Sequence, residues 1–144
     1  MKNATRLFVD GALFSGECKL LLIRRLDGVW ELPNGLLEFG EEPEMGAARV
    51  FAELTGIDAA PDRPLGAWSL IESEGEARVH AVHIGYTLTL TGTLLSVELD
   101  PETHATFAWL NQKELAERID SPPLLRSCER AFVALVQPRK NKQK

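Results

Sequence analysis

The sequence predicts an α/β fold, a sandwich in which a mixed β-sheet lies between helices, and three observations predict it. Runs with strand character stand on both sides of one strongly signalled helix, so sheet and helix are interleaved rather than segregated. Helix start signals then recur towards the C-terminal end, at Asn111 and at Pro122. The length of 144 residues suits one domain with a sizeable core and is too short to divide comfortably.

Leu7 to Phe14 and Lys19 to Arg25 are apolar runs separated by Ser15-Gly16-Glu17-Cys18, which reads as a hairpin closed by a glycine turn. After Asp27-Gly28, the segment Trp30-Glu31-Leu32-Pro33-Asn34-Gly35 is extended and turn-rich. Pro33 keeps its predecessor out of the helical region, and Asn34-Gly35 supply residues tolerant of positive φ, so a tight loop is expected. A helix follows from Pro43 to Thr55: proline suits a first turn, Glu41, Glu42 and Glu44 favour the positive end of the helix dipole, and Gly56 terminates it. Leu65 to Glu72 and Val79 to Leu90 return to strand character about a turn at Glu74-Gly75-Glu76, and Thr106 to Leu110 reads as a last short strand. Asn111 caps a short helix, and Pro122 starts a longer one ending near Gln137. Residues 1–137 are expected to form the single domain, and residues 138–144, which carry Arg139, Lys140, Lys142 and Lys144, a solvated basic tail. No internal repeat or low-complexity segment interrupts this order.

Acidic residues outnumber basic ones, 21 to 16, for a formal charge of -5, which disfavours nucleic acid or an anionic membrane as the main partner. Cys18 and Cys128 lie far apart, with no second cysteine or histidine nearby at metal-ligand spacing. Neither a zinc site nor a disulfide framework is indicated, and a reducing cytoplasm is the expected setting. Arg6 and Asp10 interrupt the N-terminal apolar residues, and no stretch approaches the roughly 18 apolar residues of a membrane span. The reading is therefore a soluble, cytoplasmic, unprocessed protein.

The chemistry concentrates in residues 35 to 57, G-L-L-E-F-G-E-E-P-E-M-G-A-A-R-V-F-A-E-L-T-G-I, a glycine loop running into the helix. Helical positions three and four apart share a face, so Arg49 and Glu53 are neighbours, with Val50, Glu53 and Leu54 on an adjoining strip. A hard divalent cation wants oxygen ligands and takes the remainder from water and a diphosphate. Glu53 can serve it; Val50 and Leu54 cannot.

Gly35, Glu41, Arg49, Phe51, Glu53, Gly56 and Ile57 match the signature of the Nudix hydrolases, which runs Gly, five residues, Glu, seven residues, then Arg-Glu-apolar-x-Glu-Glu-x-Gly-apolar. The chain resembles that family. The lead-in Trp30-Glu31-Leu32-Pro33 and the late Ala108-Trp109-Leu110 with Lys113-Glu114-Leu115 extend the likeness over almost the whole domain. The resemblance implies a Nudix-type α/β/α sandwich, a Mg²⁺ or Mn²⁺ cofactor and a nucleotide-like substrate, and relatives are commonly homodimers. It also implies a candidate catalytic set of Glu53, Arg49 and Glu41, with Glu53 as metal ligand and Glu41 ion-paired to Arg49 so that the loop is fixed against the helix. The Gly35 carbonyl is a second implied ligand, and Asn34 stands where a second glycine is common.

The box departs from the family at Val50, where a base or metal-linked Glu is frequent, and at Leu54, the second of the paired ligands. An aliphatic side chain there removes negative charge and any proton acceptor for an attacking water, so weaker metal binding and slower hydrolysis are expected. Replacement carboxylates to consider are Glu38 in the loop, Glu42 at the helix start, and Glu98 or Glu102 before the last strand, with Glu102 taken as a metal candidate by analogy to a late acidic loop residue. Gly35, Glu38 and Trp30 form the expected substrate-binding set, since Trp30, like Trp68, Phe39 and Tyr86, offers a ring for a nucleobase. His80 and His83 fall on opposite faces of a strand and cannot share an ion, and His104 reads as a surface histidine. Two readings follow: a hydrolase of a nucleoside diphosphate linked to another moiety, weakened or altered, or a catalytically inactive Nudix-fold module that binds a nucleotide or regulates a partner.

Overall fold

The computed structural model describes residues 3–93 and 96–137, and the expected basic tail at 138–144 lies outside the described residues. Its strands are β1 (Asn3–Ala12), β2 (Leu20–Arg25), β3 (Trp30–Glu31), β4 (Asn34–Leu36), β5 (Ala59–Glu74), β6 (Ala77–Leu90) and β7 (His104–Leu110). Its helices are α1 (Pro43–Thr55), α2 (Gln112–Arg118) and α3 (Pro122–Val136).

The strands form two sheets, one ordered β4-β1-β6-β5 and one ordered β3-β2-β7. Parallel pairing of β1 with β6 makes the first sheet mixed, whereas both pairings in the second are antiparallel. The expected hairpin survives only at its tip, where Ser15 N donates to the Lys19 carbonyl at 2.8 Å and Leu21 N to the Leu13 carbonyl at 3.1 Å. Beyond it β1 and β2 part into different sheets. Leu20, Leu21, Leu22 and Ile23 form a run buried on both faces, which suits the centre of a sheet rather than one arm of a hairpin. The left-handed residue of the turn is Cys18, at φ 63°, not Gly16.

Alternation along β1 and β2 builds the layers. Val9, Leu13 and Leu21 pack on the α1 side with Ala47, Val50 and Phe51. Ala12, Leu20 and Leu22 pack on the other side with Leu115, Leu124 and Cys128 of α2 and α3. The sheets are thus enclosed between helices. Local signals set the helix ends: α1 begins with Pro43 and ends where Gly56 turns left-handed at φ 77°, and Asn111 with Glu114 closes a reciprocal capping box on α2. No helix among the described residues is long and apolar enough to cross a membrane.

Strand β5 starts well before the expected Leu65. The earlier start takes in Pro61 and Pro64, which β5 accommodates as the sheet edge, with register shifts at Pro61/Arg63 and Pro64/Gly66. Bulges on an edge are where a strand tolerates proline.

Candidate active site

The signature loop and helix meet at β4, the other edge of the mixed sheet. Asn34 and Gly35 are strand residues paired with Asp10 and Val9, and neither adopts the positive φ expected of them. Glycine is needed at 35 for closeness instead: a Cβ there would sit 2.8 Å from Cγ1 of Val50, which lies beneath it and is only 2% exposed. The left-handed turn falls later in the loop, at Gly40 with φ 80°.

Arg49 ties these parts together. Its Nε and one terminal nitrogen donate to the two Glu41 carboxylate oxygens at 2.7 and 3.0 Å, a bidentate pair. The same guanidinium donates to the Leu36 carbonyl at 2.9 Å and to Glu53 at 3.0 Å, with Glu38 at 3.6 Å. The hydrogen bond from Arg49, followed by that from the Glu38 amide, holds the Glu41 carboxyl below its usual range, and the Glu41 bond pushes Arg49 up. Gly46 makes this approach possible, since a Cβ there would meet the Glu41 carboxylate at 2.8 Å. The sequence reading missed Gly46, although a glycine inside a helix costs about 1 kcal/mol against alanine and marks a close contact.

A second cluster, also missed, lies across the sheet from α1. Asp10 of β1 and His83 of β6 are both buried and joined at 2.7 Å through His83 Nδ1. Phe8 and Trp68 stack on either side of the imidazole, with centroids 5.0 and 5.6 Å away. Burial raises Asp10 from an ordinary 3.8 to about 6 despite the opposing pull of His83. Burial alone would lower His83, but the bond and charge of Asp10, with Glu31 and Glu72, outweigh it and leave His83 raised. The pair borders two adjoining cavities of about 270 and 160 Å³ that share Arg25, Glu31, Asn34, Glu72 and His83. Asn34 connects this space to the signature loop. An aspartate in the apolar stretch Val9-Asp10-Gly11 was the available signal.

The NUDIX domain family model matches residues 5–134. The chain belongs to the NUDIX domain family. A MutT-like protein of Streptomyces ambofaciens is 33% identical over 112 residues, covering 77% of this chain and 67% of that protein. A second relative, from Mycobacterium tuberculosis, is 34% identical over 125 residues, and the chain spans only 48% of its length. Among solved structures, the MutT protein of Methanosarcina mazei Go1 superposes with a TM-score of 0.69 at 21% identity, covering 96% of this chain and 99% of its own. The NUDIX domain of Shewanella oneidensis NrtR, determined with ADP ribose, gives 0.68 at 22% identity, covering 94% of this chain and 91% of its own. Both show the Nudix fold.

Nudix hydrolases generally use Mg²⁺ or Mn²⁺, and the donors here fit such a cation in one way. Glu53 is an exposed carboxylate on the α1 face, Leu54 beside it is half-buried, and Val50 points into packing. Gly11 N to the Pro33 carbonyl and Leu37 N to the Leu7 carbonyl place Val9 and Gly35 in the hydrogen-bonded set of the ladder. Parity therefore turns the Gly35 carbonyl towards β1 and the Asn34 carbonyl towards the open edge. Among the described residues, no three His, Cys, Asp or Glu side chains come together as a metal-binding group. One carboxylate and a main-chain oxygen meet the needs of a Mg²⁺ that arrives on a diphosphate, not of a resident ion.

The remaining Nudix candidates are dispersed. Glu98 stands against the end of α1, its amide donating to the Thr55 carbonyl at 2.9 Å, whereas Glu102 lies exposed in a turn closed by Asp100. Glu42 is the N-cap residue of α1, without a side-chain cap bond. Trp30 packs against the α2/α3 core with Arg118 over its ring at 5.2 Å, and it is Trp68 that borders the cavity. Tyr86 packs near Val9 and Val50, and Phe39 is fully exposed on the loop. His80 is half-buried on the opposite face of β6 from His83. His104 is buried rather than at the surface, because its ring nitrogens bond Thr103 at 3.0 Å and Glu31 at 3.3 Å.

Proposed function

We propose that the chain hydrolyses a nucleoside diphosphate linked to another moiety, in a divalent-metal-dependent reaction run with a reduced carboxylate set. The observation that carries this is the Arg49 clamp, which fixes Glu41, the Leu36 carbonyl and Glu53 on one side of α1. Such a clamp holds the phosphate-binding loop in one geometry before substrate arrives. Glu53 would hold the cation together with the main-chain oxygen of Asn34, the Gly35 carbonyl being turned into the β1 ladder, and Glu98 or Glu102 would supply the further carboxylate. When bound, Mg²⁺ or Mn²⁺ offsets phosphate charge and acidifies water. Arg49 and Glu41 act as positioning residues, and Glu38 borders the diphosphate from the loop.

Product release from a panel of nucleoside triphosphates, dinucleoside polyphosphates, nucleotide sugars and ADP-ribose, with Mg²⁺ or Mn²⁺ and with chelator, tests the reading. Metal-dependent release that Glu53→Ala abolishes is the expected result, and an unchanged rate in that variant would remove Glu53 from its role. The second reading, a Nudix-fold binding module, is favoured by Val50, which fills its position with packing and leaves no carboxylate. Nucleotides that raise the melting temperature of folded protein without any turnover would select it.

A further inference from the structure

The cavity beside Asn34 has a biased hydrogen-bonding inventory. Its donors are engaged internally: Arg25 divides its guanidinium among Asp27 at 2.7 Å, Glu31 at 3.5 Å and Glu72 at 3.5 Å. Asn34 gives one Nδ2 hydrogen to the Leu32 carbonyl at 2.8 Å, which leaves Oδ1 and the second Nδ2 hydrogen to offer. The walls thus set two cations, Arg6 and Arg25, against three carboxylates, Glu31, Glu72 and Glu74, with Arg6 spent on Glu74, and acceptors are in excess. His83 is the adjustable group. Asp10 holds Nδ1 and the two flanking rings hold the plane, so Nε2 is the nitrogen left for a ligand. With Nδ1–H donated to Asp10, Nε2 accepts when the imidazole is neutral and donates when it is charged.

A ligand that satisfies this wall brings N–H donors for the carboxylates and, beside them, an acceptor for charged His83. We propose that the cavity selects an amino-bearing nitrogen heterocycle of the adenine or cytosine kind, with Glu31 and Glu72 accepting from the exocyclic amine and His83 Nε2 donating to the neighbouring ring nitrogen. The corresponding oxo heterocycle reverses that order and sets a carbonyl oxygen against carboxylates, which is a repulsive contact. This proposal rests on the nucleotide reading above and names the substrate class within it. The charged groups around His83 are Asp10 and Arg6 on β1, Arg25 on β2, Glu31 on β3 and Glu72 and Glu74 on β5, while the start of α3 contributes Ser121 and Leu124. Asp10, Glu31 and Glu72 favour the imidazolium. Selection therefore fades as His83 loses its proton.

Calorimetric titration of the intact chain with AMP, IMP, CMP and UMP tests this, because each pair exchanges an amine and ring acceptor for a carbonyl and N–H. AMP and CMP are expected to bind at least about tenfold tighter than IMP and UMP. Glu72→Gln introduces a donor that an oxo heterocycle can use, and it should shrink the preference to below about threefold. His83→Gln, checked for folding by its melting transition, should remove the pH dependence; the more exposed Glu72 variant keeps the test decisive if that chain does not fold. Equal affinity within each pair, including no binding by any of the four, overturns the proposal, as does a preference unchanged in both Glu72→Gln and Glu31→Gln. Monophosphates contain no diphosphate to cleave, so the two readings separate. Selective binding beside an absence of turnover would sink only the hydrolase assignment, and metal-dependent turnover without base preference would sink only this one.

Discussion

At the scale of single residues, the signature positions divide into those that grip and those that merely fit. Arg49 grips, through five hydrogen-bonding or charged contacts that include a main-chain carbonyl, and lysine has no planar fork to replace it. Gly35 fits. Gly35→Ala should destabilise the fold by about 1–3 kcal/mol by driving a methyl into Val50, and Val50→Ala in that background should return part of the loss. Urea unfolding of the four chains in this cycle checks it, and additive losses would show that the two positions are not in contact. The Glu41 to Arg49 pair was legible because both residues lie in one signature. The reason for Gly35 was not, since the sequence displayed a turn-former while the structure uses the missing side chain. Asp10 and His83 were also hidden: they are 73 positions apart and meet only through strand register, which residue types do not announce.

At the scale of elements, α1 was readable because its proline start and glycine stop are written in its own residues. The bounds Pro43 to Thr55 follow from local chemistry alone. Strand partners were not, as β1 and β2 illustrate: neighbours in sequence that end in different sheets, because tertiary burial decides between a hairpin and a central strand. The two substituted positions on α1 are also unequal as elements of a helix face. Leu54 is half-buried beside exposed Glu53, whereas Val50 lies under β4. Leu54→Glu alone should therefore raise metal-dependent turnover of a diphosphate substrate, by up to about 10²-fold. Val50→Glu should instead lower stability by about 1–3 kcal/mol, as an unpaired buried carboxylate does. Comparison of rates and melting temperatures for the two single variants decides this, and a gain confined to Val50→Glu would reverse the assignment of faces.

For the whole molecule, the buried pair and the clamp pull stability in opposite directions with pH. Asp10, raised from 3.8 to about 6, and His83, raised above 6.5, both hold protons more tightly in the folded chain. Their contribution is fully present below about pH 4 and declines as pH rises through about 6 and then through the raised His83 value. Glu41, held low, contributes above the ordinary carboxylate range and loses that contribution as pH falls through its lowered value. Stability of wild type relative to Asp10→Asn should accordingly fall by on the order of 2 kcal/mol between about pH 4 and about pH 7. Denaturant curves at a series of pH values measure it, and a difference that stays flat would mean that the pair does not take up protons on folding.

The two edges of the four-stranded sheet bear on the molecule's behaviour in a crowded solution. An open strand edge invites another chain to add to it. On β5 that invitation is withdrawn by Pro61 and Pro64, which have no amide hydrogen to give. On β4 it is Arg49 that occupies the outward Leu36 carbonyl, so the residue that fixes the reactive loop also guards the border against self-association. An Arg49 variant that loses activity would for that reason need its particle size measured as well as its rate, because precipitation and impaired chemistry would begin at the same atom.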